Sequence, residues 1–423
     1  MKKIYFLFLL GIALSSCKPG KKSNQENSVN QLKYSGDNIE SIFKKGTFGY
    51  DKKFLQKNYK NTIILESDDK KSMLILSPEL QGRVMTSTLN GEEGLSFGWL
   101  NYDLIRSKKI MEHINPTGGE ERFWLGPEGG QFSLYFKPGV SFDFANWFVP
   151  SILDTEAFNV VEQMKSSAIF QKKMNLLNYS GTKFNIALTR KITLLQKAQI
   201  KKSLHLKDEN FSVVAYETMN TVENIGNSDW KKESGLISIW LLSMLNSSEE
   251  TTVVVPIKQG NENRLGSIVN DNYFGKIDSN RLKVSAKTVY FKADGKSRGK
   301  IGISPKRTTG FMGSYDSKNR VLTILEIPES KENDVYVNST WELQDAPYSG
   351  DVLNSYNDGK LEDGTQMGPF YEMESSSPAL ALSEGESYKH VQRIYHFKGK
   401  KDALNSIALK VLKVSIDEIQ EAF

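Results

Sequence analysis

The chain of 423 residues has one cysteine, Cys17, and only four histidines. A single thiol excludes any disulfide within the chain, and no cysteine cluster is present to hold zinc. Charge of one sign is scarce as well: 55 Lys and Arg stand against 50 Asp and Glu, a formal net charge of +5. Removing Lys2 and Lys3 with an amino-terminal leader would leave 5 − 2 = +3. Acids and bases are interspersed, and no basic block of the kind that tracks phosphates occurs, so nucleic acid is not an expected partner. The apolar run Ile4 to Leu14 covers about eleven residues, too few for the roughly twenty that span a bilayer as a helix. A phosphate-cradling loop, a Gly-x-Ser-x-Gly elbow and a metalloprotease helix are all missing. So are internal repeats and any proline-rich linker.

What is present starts at the amino terminus. Met1-Lys2-Lys3, the apolar run and the small residues Ser15-Ser16 before Cys17 have the layout of a secretory signal. Leu14-Ser15-Ser16-Cys17 resembles the bacterial lipobox, in which the cysteine is lipidated and becomes the new terminus. Residues 1–16 are therefore expected to be a lipoprotein signal peptide. Residues 17–37, polar and poor in large apolar side chains, read as a flexible stalk. The implied location is the bacterial cell envelope, periplasmic or outer-membrane associated, with membrane contact through the lipid alone.

From about Asn38 to the end, short β-type runs alternate with turn residues. They include Thr62 to Leu65, Met73 to Leu76, Val84 to Leu89, Phe211 to Tyr216, Leu236 to Leu245, Thr251 to Ile257, Leu282 to Phe291 and Val321 to Ile327. Asn90-Gly91 reads as a hairpin turn after one of them. Many evenly spaced strands with few helical stretches predict one large, mainly all-β domain over 38–423, an antiparallel sandwich. One helix is expected after Lys400, where Leu404, Ile407, Ala408, Val411 and Leu412 recur at helical period. Ser415 with Glu418 three residues on predicts a capped turn behind it.

Residues with chemistry gather in three places. Asn115 to Gly130 packs five glycines, two prolines and Glu120, Glu121, Arg122, Trp124 and Glu128 into sixteen residues. Loops of this kind, held on a rigid sheet, concentrate binding groups. Arg122 offers paired donors for adjacent sugar hydroxyls, Trp124 offers a stacking face, and Glu120 and Glu128 offer acceptors. The same loop would equally be structural, with Trp124 as its anchor and Arg122 paired to Glu120. In the second place, Phe370, Glu372 and Glu374 fall on one side of a strand, the two carboxylates about 7 Å apart. Mutual repulsion there suits a general base, or two hard ligands for calcium, unless that face is simply solvated. No other metal or cofactor is indicated. In the third place, the polar run Tyr348 to Gly359, with Asn357 and Asp358, would rim a cleft or make ordinary turns.

Met373-Glu374-Ser375 to Pro378, then Ser383 to His390 and Tyr395-His396-Phe397, resemble the carboxy-terminal part of aldose 1-epimerases. The resemblance implies a galactose mutarotase-like β-supersandwich with a sugar cleft on a concave sheet, and it places Glu374 where that family has its general base. Gln81-Gly82-Arg83-Val84 and the Gly118-Gly119 to Gly126 loop are loosely similar to other turns of such folds. The family's histidine acid has no counterpart in Thr218 to Gly226, and Thr117 stands where the hexose-phosphate branch has arginine. Of the histidines, His113 beside the glycine loop is the candidate proton donor. His205, on an expected strand, and His390 and His396 read as structural. The expectation is a carbohydrate-binding envelope lipoprotein, either epimerase-like with Glu374 as base or non-catalytic. A structural protein without sugar binding is the remaining alternative.

Overall fold

The computed structural model describes residues 42–206 and 210–423, so the expected leader, Cys17 and stalk lie outside the described residues. Three antiparallel sheets carry the fold. The largest has ten strands, running in space from Leu282–Val284 through Thr251–Pro256, Val321–Glu326, Ser387–Gly399 and Phe211–Asn224 to Asn159–Gln163 at the far edge. Facing it is a five-stranded sheet in the order Gly299–Ile303, Leu353–Asn357, Phe370–Ser376, Ser238–Asn246, Arg122–Gly126. A three-stranded sheet, Ile63–Glu66, Met73–Ser77 and Arg83–Thr88, completes the set.

Side-chain alternation decides what each face meets. On the ten-stranded sheet, Val214, Tyr216, Leu325 and Ile394 join Phe123, Leu241 and Met373 of the five-stranded sheet in the main core. Their neighbours Val213, Ala215, Leu322, Ile324, Tyr395 and Phe397 point the other way. That outer face is covered by the helices Lys401–Val411 and Ile416–Gln420, through Leu404, Ile407, Ala408, Val411, Ile416 and Ile419. The first is the expected amphipathic helix. The second opens on the expected Ser415/Glu418 capping box, with both reciprocal bonds made.

Several local expectations were displaced by tertiary context. Leu282 to Phe291 is two short strands, Leu282–Val284 and Thr288–Lys292, paired antiparallel around a turn. Asn90-Gly91 is not a hairpin turn, because Met73–Ser77 and Arg83–Thr88 already pair through the turn at Pro78–Leu80 and Gly91 opens a loop instead. His205 lies just past the helix Lys197–Ser203 with φ +51°, not on a strand. A helix over Phe48–Asn58 was not legible as such; it is capped by Thr47 and packs Phe48, Phe54 and Leu55 on Met73, Ile75 and Met85.

A candidate site on the outer face of the five-stranded sheet

Both faces of the five-stranded sheet are buried, and the outer one sets charged side chains among its apolar ones. On the strand Phe370–Ser376, Tyr371 and Met373 point to the core while Glu372 and Glu374 point outward. Arg122–Gly126 does the same, sending Phe123 inward and Arg122 and Trp124 outward. The register brings these outward residues together: Glu374 lies opposite Leu242, which in turn lies opposite Arg122, and Trp124 lies opposite Trp240. Lys300, on the edge strand, is opposite Tyr356, itself opposite Glu372.

The result is a buried charged cluster. Arg122 Nη2 donates to Glu372 Oε1 at 2.9 Å. Glu374 Oε2 accepts from Lys300 Nζ and from Trp240 Nε1, each at 2.9 Å. The Arg122 guanidinium lies 4.4 Å from the centre of the Trp124 ring, and Trp124 meets Trp240 edge to face. Relative exposure is 1% for Glu374, 4% for Arg122 and 5% for Glu372. Burial raises the Glu372 carboxyl well above the usual carboxylate range, Arg122 beside it pulls the other way, and the charge of Glu374 adds to the rise. Glu128 is pushed up to about 7, first by burial and then by Glu374, against the pull of Lys300. Burial disfavours the Lys300 ammonium, but Glu374 and Glu128 outweigh it and hold the group above the ordinary lysine value.

Four buried polar atoms of this face have no protein partner: Arg122 Nε and Nη1, Trp124 Nε1 and Glu374 Oε1. Each such atom costs about 1–3 kcal/mol unless something polar completes it. Lys300 and Trp240, the two partners of Glu374, line a cavity of about 20 Å³ together with Tyr273, Ser339, Asp351 and Asn354; Arg122, Trp124 and Glu374 themselves are not in its lining. The cavity has room for about one water. Tyr273 closes it, its hydroxyl donating to Asp351 Oδ2 at 2.6 Å and accepting from Asn354. Asp351 approaches so closely because residue 302 is glycine; a Cβ there would sit 2.0 Å from Asp351 Oδ2.

Of the residues singled out in the sequence, Glu374, Glu372, Arg122, Trp124 and Glu128 meet here. The alternative pairing of Arg122 with Glu120 is not made. Glu120 turns toward the ten-stranded sheet, where it bonds Ser87 and His396, so it is not part of this site. His113 also falls elsewhere: its Nδ1 is bonded to the Trp147 carbonyl and its ring packs on Phe144 and Phe148. The cation beside Glu374 is instead Lys300. Asn357 bonds Gly295 and Ser297, and Asp358 accepts from Tyr356 and Gly368, so both brace turns. Glu372 and Glu374, the carboxylates considered for calcium, meet Arg122 and Lys300 respectively. No group of three or more metal-capable side chains occurs among the described residues. Lys300, Trp240, Tyr273 and Asp351 were missed, because a lysine in a short glycine-rich strand looks like any surface lysine. The glycine pair was legible: Gly118 has φ +89°, and a Cβ on it would lie 2.1 Å from the Trp99 carbonyl oxygen.

Solved structures similar to the chain include three from bacteria. The Slr1438 protein of Synechocystis sp. PCC 6803 is 12% identical, with 80% of this chain and 96% of that one covered, at TM-score 0.46. A galactose mutarotase-like protein from Lactobacillus casei is 11% identical, with 79% and 100% covered, at TM-score 0.45. A galactose mutarotase related enzyme from Lactobacillus acidophilus is 8% identical, with 79% and 97% covered, at TM-score 0.44. No curated protein matches the chain in sequence. Residues 46–423 match the model of a family of unknown function, DUF6786, and the chain belongs to that family.

Proposed function

We propose that the outer face of the five-stranded sheet binds a saccharide and that Glu374 is its general base. The observation that carries this reading is the set of unpartnered atoms on Arg122, Trp124 and Glu374, facing the same side beside two indole rings. Hydroxyl groups, each able to donate and accept, are the chemistry that would complete two guanidinium donors, an indole donor and a carboxylate oxygen together. The space is water-sized, so a sugar ring enters only when Tyr273 and the neighbouring 337–339 segment swing aside.

In the reaction, Glu374 Oε1 would take the proton of the anomeric hydroxyl while Glu128, protonated near neutrality, gives one to the ring oxygen. The ring C–O bond breaks, the carbonyl turns, and reclosure with the reverse transfers yields the other anomer. Burial holds a proton on Glu128 near neutrality, which suits that carboxyl to the acid role. Lys300 and Trp240 would orient Glu374, and Arg122 would hold a neighbouring hydroxyl. Because Glu128 must be protonated, the rate should fall as pH rises through about 7. The test is anomer interconversion of hexoses followed by NMR, together with calorimetric binding. If Glu374→Gln and Arg122→Met change neither rate nor affinity, the reading is wrong. Binding without any interconversion would favour the non-catalytic alternative, which the Lys300–Glu374 ion pair already supports by occupying one oxygen of the base.

Anchoring through lipidated Cys17 in the bacterial envelope belongs to the same proposal. Palmitate labelling of cells expressing the protein should mark the wild type and not Cys17→Ser.

A further inference from the structure

A second cavity lies on the other side of the same sheet. It measures about 350 Å³ and opens between the two large sheets at one end. Tyr371 and Thr323 line it, and Tyr371 is the neighbour of Glu372 pointing to the opposite face. This volume is within the range of small-molecule sites, and water alone would fill it with about a dozen molecules at ~30 Å³ each.

Of the ionic groups in the lining, Asp316 and His396 are held by protein partners, and Lys45 is exposed. Asp316 accepts from Ser248 and the Asn319 backbone on Oδ1, and from the Asn319 amide on Oδ2. The Lys45 ammonium sits 4.5 Å from the centre of the Tyr102 ring. His396 is held at both ring nitrogens, by Thr323 at 2.9 Å and Glu120 at 3.0 Å, and its face is stacked on Phe97 at 4.2 Å. Beside Lys45, the lining carries the hydroxyls of Ser247, Ser314, Thr323 and Tyr371, whose oxygens keep acceptor capacity, and aromatic surface. Ser314 and Tyr371 hold each other at 2.7 Å, so their hydroxyls are fixed in place rather than free to rotate to water.

We infer that this cavity is a second binding site, distinct from the Glu374 face, for a polyhydroxylated ring of monosaccharide size. The Thr323–His396–Glu120 chain acts as a positioning device, fixing which way the Thr323 hydroxyl presents itself.

The test uses the full chain with D-glucose, D-galactose, D-mannose and myo-inositol as probes, read by saturation-transfer NMR and calorimetry. Ser247→Trp fills the cavity from its half-exposed rim and leaves the core untouched. At least one probe should bind the wild type, lose affinity tenfold or more in Ser247→Trp, and keep it in Glu374→Gln. Thr323→Val should weaken the same probe several-fold. If that variant does not fold, Ser247→Trp alone decides. No binding by any of the four, or binding that Ser247→Trp leaves intact, overturns the inference. Loss confined to Glu374→Gln assigns the sugar to the first site and also overturns it.

Discussion

Two buried charge networks flank the five-stranded sheet, and they are finished to different degrees. On the inner side, Arg190 spends all three nitrogens, on the Gly82 carbonyl, Asn220 and Glu121. Glu121 uses its second oxygen on Gln392, Gln392 accepts from Ser375, and Ser375 is bonded to His390. On the outer side, Arg122 makes one bond and leaves two nitrogens without partners, and Glu374 leaves one oxygen bare. The inner network leaves only the neutral Asn220 amide nitrogen over and specifies structure, whereas the outer one of equal burial, open at its guanidinium and carboxylate, keeps capacity for something the protein does not itself contain.

The largest effect that would break this comparison is on stability. Arg190→Met strands the Glu121 carboxylate at 0% exposure and should cost about 3–5 kcal/mol in denaturant unfolding. Next is acid. His390 is buried neutral, its value pulled down to about 4 by burial. A histidine depressed on folding contributes stability that is whole above about 6.5 and is lost as pH falls toward 4. The loss across that window should be about 3 kcal/mol, and unfolding midpoints of His390→Gln should show a flatter dependence there. Smaller still is the outer pair: Arg122→Met with Glu372→Gln removes both charges together and should shift stability by less than about 1 kcal/mol while abolishing saccharide binding. If this double variant unfolds as readily as Arg190→Met, the outer network is structural and the distinction fails. The smallest effect is at the exposed Lys296–Glu249 pair, where Lys296→Ala should leave the unfolding midpoint nearly unchanged, with any difference shrinking at high salt.

Much of the architecture was legible because strand alternation and turn residues are local signals. Phe370, Glu372 and Glu374 share a face simply because side chains alternate. The helix Lys401–Val411 was readable from its stripe, while Phe48–Asn58 was not, its apolar residues being clustered at two ends. The site was half legible. Arg122, Trp124 and Glu374 stood out as charges and an indole among glycines or in a strand, but Glu120, one turn of backbone away, was indistinguishable from them. His113 was chosen for its chemistry and its nearness in sequence, and neither predicts where a ring packs.

By itself the sequence determined the strand rhythm, the two carboxy-terminal helices with the cap on the second, the lack of any disulfide within the chain and the parity that sets neighbouring residues on opposite faces. Only the tertiary structure decided which carboxylate meets which cation, because Arg122 and Glu372 are 250 residues apart and Glu374 and Lys300 are 74 apart. Such pairings follow from strand order and register across the sheet, which depend on how the whole chain buries its apolar surface and not on any local pattern.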